Sequence, residues 1–99
     1  MTTKGEILDF LASNKQYFLE RFGIVKIGLF GSFVRDEQTD GSDIDLIVEF
    51  ERNTPHLFDT KNDLKAYIKE QFNIEVDIAR EKYLKSFYRE SILKETIYV

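Results

Sequence analysis

What most constrains the fold of this chain is a pair of short apolar runs, each joined to a polar cluster. Ile24 to Phe30 (IVKIGLF) is apolar and β-branched and stops at Gly31-Ser32, as a buried strand feeding a turn does. After a loop-forming segment, Thr39 to Ser42 (TDGS), a second run follows from Asp43 to Phe50 (DIDLIVEF). Alternation along this strand puts Asp43, Asp45, Ile47 and Glu49 on one face and Ile44, Leu46, Val48 and Phe50 on the other. Two carboxylates at i and i+2 point to one side, where they can share a divalent metal. A Gly-Ser turn opening a helix, here expected over Ser32 to about Glu37, can hold phosphates on its amides. The combination implies nucleotide chemistry.

The rest of the chain reads as a frame for these two runs. Thr3 and Glu6 form a T-x-x-E capping box, and Ile7, Leu8, Leu11, Phe18, Leu19 and Phe22 recur at helical spacing until Gly23, which predicts one amphipathic helix over residues 4–22. Thr54-Pro55 reads as an N-cap with proline at N1, opening a helix to about Phe72 that packs through Leu57, Phe58, Leu64, Tyr67, Ile68 and Phe72. Ile74 to Ala79 (IEVDIA) is a third strand carrying Asp77 at its centre, with Glu75 and Ala79 on the same face. A surface helix is expected from Glu81 to about Glu95 and a terminal strand from Thr96 to Val99. The fold class is α/β (α+β): a small mixed β-sheet with helices packed on one side and carboxylates exposed on the other.

Size and composition limit the chemistry. Ninety-nine residues suit one domain, residues 1–99, with no room for a separate acceptor-binding domain. No apolar run approaches the roughly 20 residues of a membrane span, and no signal-like h-region follows the N-terminus, so the expected location is the cytoplasm. With no cysteine and a single histidine, His56, expected at an exposed helix start, any metal must be bound by oxygen. A net charge of −4 disfavours binding to long nucleic acid, which depends on basic groups that release counterions.

Gly31, Ser32, Arg35, Ser42, Asp43 and Asp45 resemble the GSxxR…SDxD signature of the DNA polymerase beta nucleotidyltransferase superfamily, specifically its minimal nucleotidyltransferase (MNT) domains. The resemblance runs from about Ile24 to Asp77, which matches a further Asp that the family carries on a later strand. One departure is Asp36, where relatives commonly have Gly after the Arg. If its carboxylate pointed at the phosphates, it would weaken ATP binding.

The resemblance implies a nucleotidyltransferase (polymerase beta-like) fold and a reaction at two Mg²⁺ ions, about 4 Å apart, that activate the attacking oxygen and stabilise the leaving group. Asp43 and Asp45 are the expected shared ligands, and Asp77 the ligand at the acceptor, where it could also take the hydroxyl proton. Without metal the three should repel, since like charges about 4 Å apart cost roughly 4 kcal/mol at an effective dielectric near 20. Gly31 lets backbone approach a phosphate, Ser32 offers a hydroxyl and an amide, Arg35 can bind the β/γ-phosphates, and Ser42 caps or orients the Asp43 strand. Two plainer readings stand beside these: Arg35 in a surface pair with Asp36 or Glu37, and Asp77 as an ordinary exposed strand residue.

For biological role, the family implies an antitoxin that transfers AMP from ATP to a tyrosine of a partner HEPN-domain ribonuclease toxin, within a hetero-oligomer. Two alternatives come from other classes: a non-catalytic antitoxin that neutralises the HEPN partner by complex formation, and a small-molecule nucleotidyltransferase completed by a separate subunit.

Overall fold

The computed structural model describes residues 2–99. Helix α1 (Lys4–Ser13) begins at the expected capping box: Thr3 Oγ1 accepts from the Glu6 amide at 3.2 Å, and the Glu6 carboxylate accepts from the Thr3 amide at 3.2 Å. The single helix expected over 4–22 is two, because α1 stops at Asn14 and α2 (Lys15–Phe22) restarts beyond it. Asn14 competes with the helical ladder: its Nδ2 donates to the Phe10 carbonyl at 2.8 Å, while its Oδ1 accepts from the Tyr67 hydroxyl at 2.9 Å. The break lets both short helices bury a stripe, Ile7 and Leu11 from the first and Phe18 and Phe22 from the second. Gly23 then ends α2 at φ +70°, a left-handed position that glycine fills without strain.

Strands β1 (Ile24–Phe30) and β2 (Ile44–Phe50) pair antiparallel, and helix α3 (Leu57–Phe72) crosses over to β3 (Val76–Ala79), which pairs with β2 in parallel. A 3₁₀ turn at Glu81–Tyr83, helix α4 (Ser86–Glu95) and the short strand β4 (Ile97–Tyr98) complete the chain. The mixed sheet has the order β3-β2-β1-β4. The face of β2 carrying Ile44, Leu46 and Val48 packs with Ile7, Leu11, Phe18, Leu64 and Ile68, all fully buried. Each such side chain contributes about 1.5–3 kcal/mol by leaving water.

Several boundaries differ from the sequence expectation. Residues 31–36 form consecutive turns rather than a helix, closed by Val34 N–H to the Gly31 carbonyl at 3.1 Å and Glu37 N–H to the Ser32 carbonyl at 3.0 Å. Thr54 does not cap α3: its hydroxyl donates to the Glu51 carbonyl at 2.7 Å, and the helix starts after His56, which takes φ +54°. Phe58, expected to pack, is 79% exposed. The expected helix from Glu81 is divided into the 3₁₀ turn and α4. The terminal strand forms as expected, with Gly28 opposite Tyr98 and Leu29 opposite Ile97.

The second face of the sheet is not left bare. Glu49 accepts from the Glu81 amide at 3.1 Å, and Arg89 of α4 donates to the Glu81 carbonyl, so the segment after β3 folds back over this face. Ile47, which shares it with Asp45, is fully buried.

Candidate active site

The ends of β1, β2 and β3 bring the acidic residues together. Asp45 faces Phe30 across the antiparallel pair and Asp77 across the parallel pair, so the two aspartates are direct register partners on adjacent strands. Asp43 lies two residues before Asp45, just ahead of the first residue of β2. Asp43 and Asp77 are exposed, whereas Asp45 is half-buried. Among the described residues no side-chain hydrogen bond satisfies Asp45, and its carboxyl is pushed up to about 6, by burial first and then by repulsion from Asp77 and Asp43. Arg35 opposes that shift weakly, and Glu95 reinforces it.

Gly31 follows β1 directly and turns the chain at φ +85°. A Cβ here would stand 2.2 Å from Asp45 Oδ2, so glycine is required both by the left-handed backbone and by the carboxylate lying against it. The Gly31 amide donates to Glu95 Oε2 at 2.5 Å. Arg35 reaches the same carboxylate, its Nη1 lying 2.9 and 3.0 Å from the two oxygens, while its Nε donates to Glu37 at 2.7 Å. These bonds, Glu37's first and Glu95's second, raise the guanidinium pKa further. The surface pair of Arg35 with Glu37 is thus present, together with a contact to Glu95 that runs 60 residues along the chain.

Ser42 and Thr39 close the loop before β2 reciprocally. The Ser42 hydroxyl accepts from the Thr39 amide at 2.9 Å, and the Ser42 amide donates to the Thr39 carbonyl at 3.0 Å. This turn aims the chain into Asp43. Ser32 is half-buried beside Gly31. Asp36 adopts φ +56°, a left-handed position that glycine fills more easily, and its carboxylate turns out to Lys4 Nζ at 3.5 Å. The same Lys4 Nζ lies 3.4 Å from the Val34 carbonyl, so one lysine of α1 pairs with Asp36 and contacts the turn at once.

The structure thus brings Gly31, Ser32, Arg35, Asp43, Asp45 and Asp77 to one end of the sheet, with Ser42 holding the loop. Among the described residues, no three Asp, Glu or His side chains are oriented to hold one metal ion. The donor set nonetheless suits a hard dication: it is all oxygen, and the half-buried Asp45 feels more repulsion from Asp77 and Asp43 than attraction from Arg35. A separate cavity of about 420 Å³ between Leu57, Phe58, Lys61, Ile78, Arg80 and Tyr83 contains no carboxylate. Glu95 is the site residue that sequence reasoning missed, and its one sequence signal is an acidic residue at the C-terminal end of a helix, where the macrodipole disfavours it.

Comparison with known proteins gives the family and the fold. Residues 11–99 match the model of the nucleotidyltransferase domain family. The protein adenylyltransferase MntA of Thermococcus cleftensis is 37% identical over 99 residues, covering all of this chain and 98% of that protein. A Methanocaldococcus jannaschii protein assigned as a protein adenylyltransferase is 35% identical over the full length of both. A solved structure assigned as a minimal nucleotidyltransferase superposes with a TM-score of 0.73 at 32% identity, covering 93% of this chain and 92% of the other. A chain of a toxin–antitoxin crystallised with AMP-PNP shares the fold, with a TM-score of 0.65 at 18% identity over 98% of this chain and 72% of that one. The turn at Gly31, the paired aspartates of β2 and β3 and these matches lead to one conclusion: this chain belongs to the nucleotidyltransferase domain family and has the minimal nucleotidyltransferase fold.

Proposed function

We propose that this chain is a Mg²⁺-dependent protein adenylyltransferase that transfers AMP from ATP to a tyrosine hydroxyl of a partner HEPN-domain toxin, and so acts as its antitoxin. The observation that carries this reading is the parallel register of Asp45 with Asp77 beside the left-handed turn at Gly31. Unsatisfied carboxylates next to an anion-binding turn are costly for stability and suited to a triphosphate and its cations. The Thermococcus relative, named for protein adenylylation, supports the reaction type. Its name, MntA, also appears in a toxin–antitoxin structure of the same fold, MntA–HpeT, which supports the antitoxin role.

In this reading Asp43, Asp45 and Asp77 would hold Mg²⁺, with Asp43 and Asp77 exposed and Asp45 half-buried. When bound, the metal neutralises the phosphates and lowers the barrier to deprotonating the acceptor. Gly31 and Ser32 present backbone and hydroxyl donors to the triphosphate, and Arg35 binds its β/γ-phosphates. The tyrosine oxygen attacks the α-phosphorus as its proton passes to Asp77 or to solvent. The bond from the α-phosphorus to the bridging oxygen breaks, and pyrophosphate leaves with that electron pair. An AMP phosphate added beside a ribonuclease site would repel RNA and block it sterically.

The test is to incubate the chain and its toxin partner with Mg²⁺ and ATP and record intact masses, with Asp43→Ala/Asp45→Ala as control. The expected result is a partner mass gain in whole AMP units that the control lacks. A tight complex with no mass gain would overturn the catalytic reading.

A further inference from the structure

Glu95 sits where the proposed phosphate cradle needs an anion, and its position is not accidental to the fold. β4 pairs antiparallel with β1 through Gly28 with Tyr98 and Leu29 with Ile97, and the Val99 amide donates to the Ile27 carbonyl at 3.1 Å. Extending that register by two residues brings Glu95 opposite Gly31. Its carboxylate takes the Gly31 amide at 2.5 Å and Arg35 Nη1 at 2.9 and 3.0 Å, and the side chain is 23% exposed. Two local effects oppose placing a carboxylate there: it is the last residue of α4, at the negative end of the helix dipole, and it adds repulsion to Asp45. What offsets them is the pair of donors at Gly31 and Arg35, and these are the groups assigned above to the triphosphate.

We infer that Glu95 is an intramolecular competitor for the triphosphate: its carboxylate occupies the Gly31–Arg35 cradle in the nucleotide-free chain and must swing out for ATP to bind. The inference rests on the nucleotidyltransferase reading of that cradle. Glu95 ends α4 just ahead of β4, so its side chain can turn away while the pairing of Ile97 and Tyr98 with β1 stays in place. Displacement costs the incoming nucleotide part of its affinity, because only the fraction of molecules with an open cradle is competent to bind. It also makes α4 sensitive to occupancy, since loss of this contact frees the end of the helix from the turn at residues 31–36.

The experiment is a titration of Mg²⁺-ATP and of inorganic tripolyphosphate into the wild-type chain, Glu95→Gln, Glu95→Ala and Arg35→Ala, with ¹⁵N spectra of the Gly31 amide recorded alongside. Expected are about three- to ten-fold tighter binding of both probes to Glu95→Gln and Glu95→Ala, and weaker binding to Arg35→Ala. The Gly31 amide should shift between wild type and Glu95→Gln in the free chain and converge when both are saturated with ATP. Equal or weaker binding to both Glu95 variants overturns the inference while leaving the nucleotide reading intact. A Gly31 amide indifferent to Glu95→Gln in the free chain also overturns it. Absence of binding of either probe to any variant overturns both the inference and the nucleotide reading.

Discussion

Gly31 and Asp45 are matched to each other: Asp45 Oδ2 occupies the space that a Cβ at position 31 would fill, 2.2 Å from where that atom would stand. The left-handed turn after β1 and the half-buried carboxylate of β2 are therefore packed as one unit, and a side chain at position 31 has no room while Asp45 is present. Gly31→Ala should destabilise the chain by about 1–3 kcal/mol, through the positive φ and the clash together. In an Asp45→Ala background the clash disappears and the φ cost stays, so the penalty for Gly31→Ala should shrink without vanishing. Urea unfolding of the four proteins in that cycle measures it; strict additivity would mean the two residues do not touch.

The crowding of Asp45 gives the metal-free chain a pH signature. Its carboxyl titrates at about 6 in the folded chain against about 3.9 when unfolded. A raised carboxyl pKa means that the folded state holds its proton longer, so stability is lost as pH rises from about 4 to 6 and the penalty is complete above that range. Asp45→Asn should remove the penalty, stabilising the chain by on the order of 2 kcal/mol at pH 7.5 and by nothing at pH 4. Denaturation in chelator across this range checks it, and a wild type that gains stability relative to Asp45→Asn between pH 5 and 7 would contradict it.

Asp77 tests the chemistry apart from the fold. It is exposed on β3, the edge strand of the sheet, so Asp77→Asn should leave the melting temperature within about 2 °C of wild type. AMP transfer should fall by at least about a hundred-fold if this carboxylate takes the acceptor proton. Unimpaired single-turnover transfer by a folded Asp77→Asn chain would remove it from the site.

Gly28 controls how closely β4 approaches β1. A Cβ there would stand 2.7 Å from the Thr96 side chain and 2.8 Å from the Tyr98 ring. Gly28→Ala should push β4 outward, costing about 1–3 kcal/mol and loosening the strand that places Glu95. Hydrogen exchange at the Val99 amide, bonded to Ile27, should accelerate by more than the loss of global stability accounts for, while protection within α1 falls only in step with that stability. Selective protection of Val99 in the variant would show that β4 is held some other way.

Much of this arrangement was legible from residue order. The capping box at Thr3 and Glu6, the stop at Gly23, the two apolar strands and the D-x-D pair on one face follow from local geometry: caps satisfy amides within four residues, and strand alternation is a property of the backbone itself. What was misread depended on distant partners. The N-terminal helix breaks where Asn14 bonds Tyr67 of α3, 53 residues away.

Sequence alone determined the α/β class, the carboxylate pair Asp43 and Asp45, and the turn at Gly31-Ser32, since all of these reside within single elements or in adjacent ones. Only the tertiary structure decided that Asp77 lies beside Asp45, that Asp36 pairs with Lys4, and that Glu95 reaches the Gly31 amide and Arg35. The reason is physical: strand order and register are set by the summed burial of the sheet and its helices, and the meeting of residues 31 and 95 is a by-product of that register with no local code.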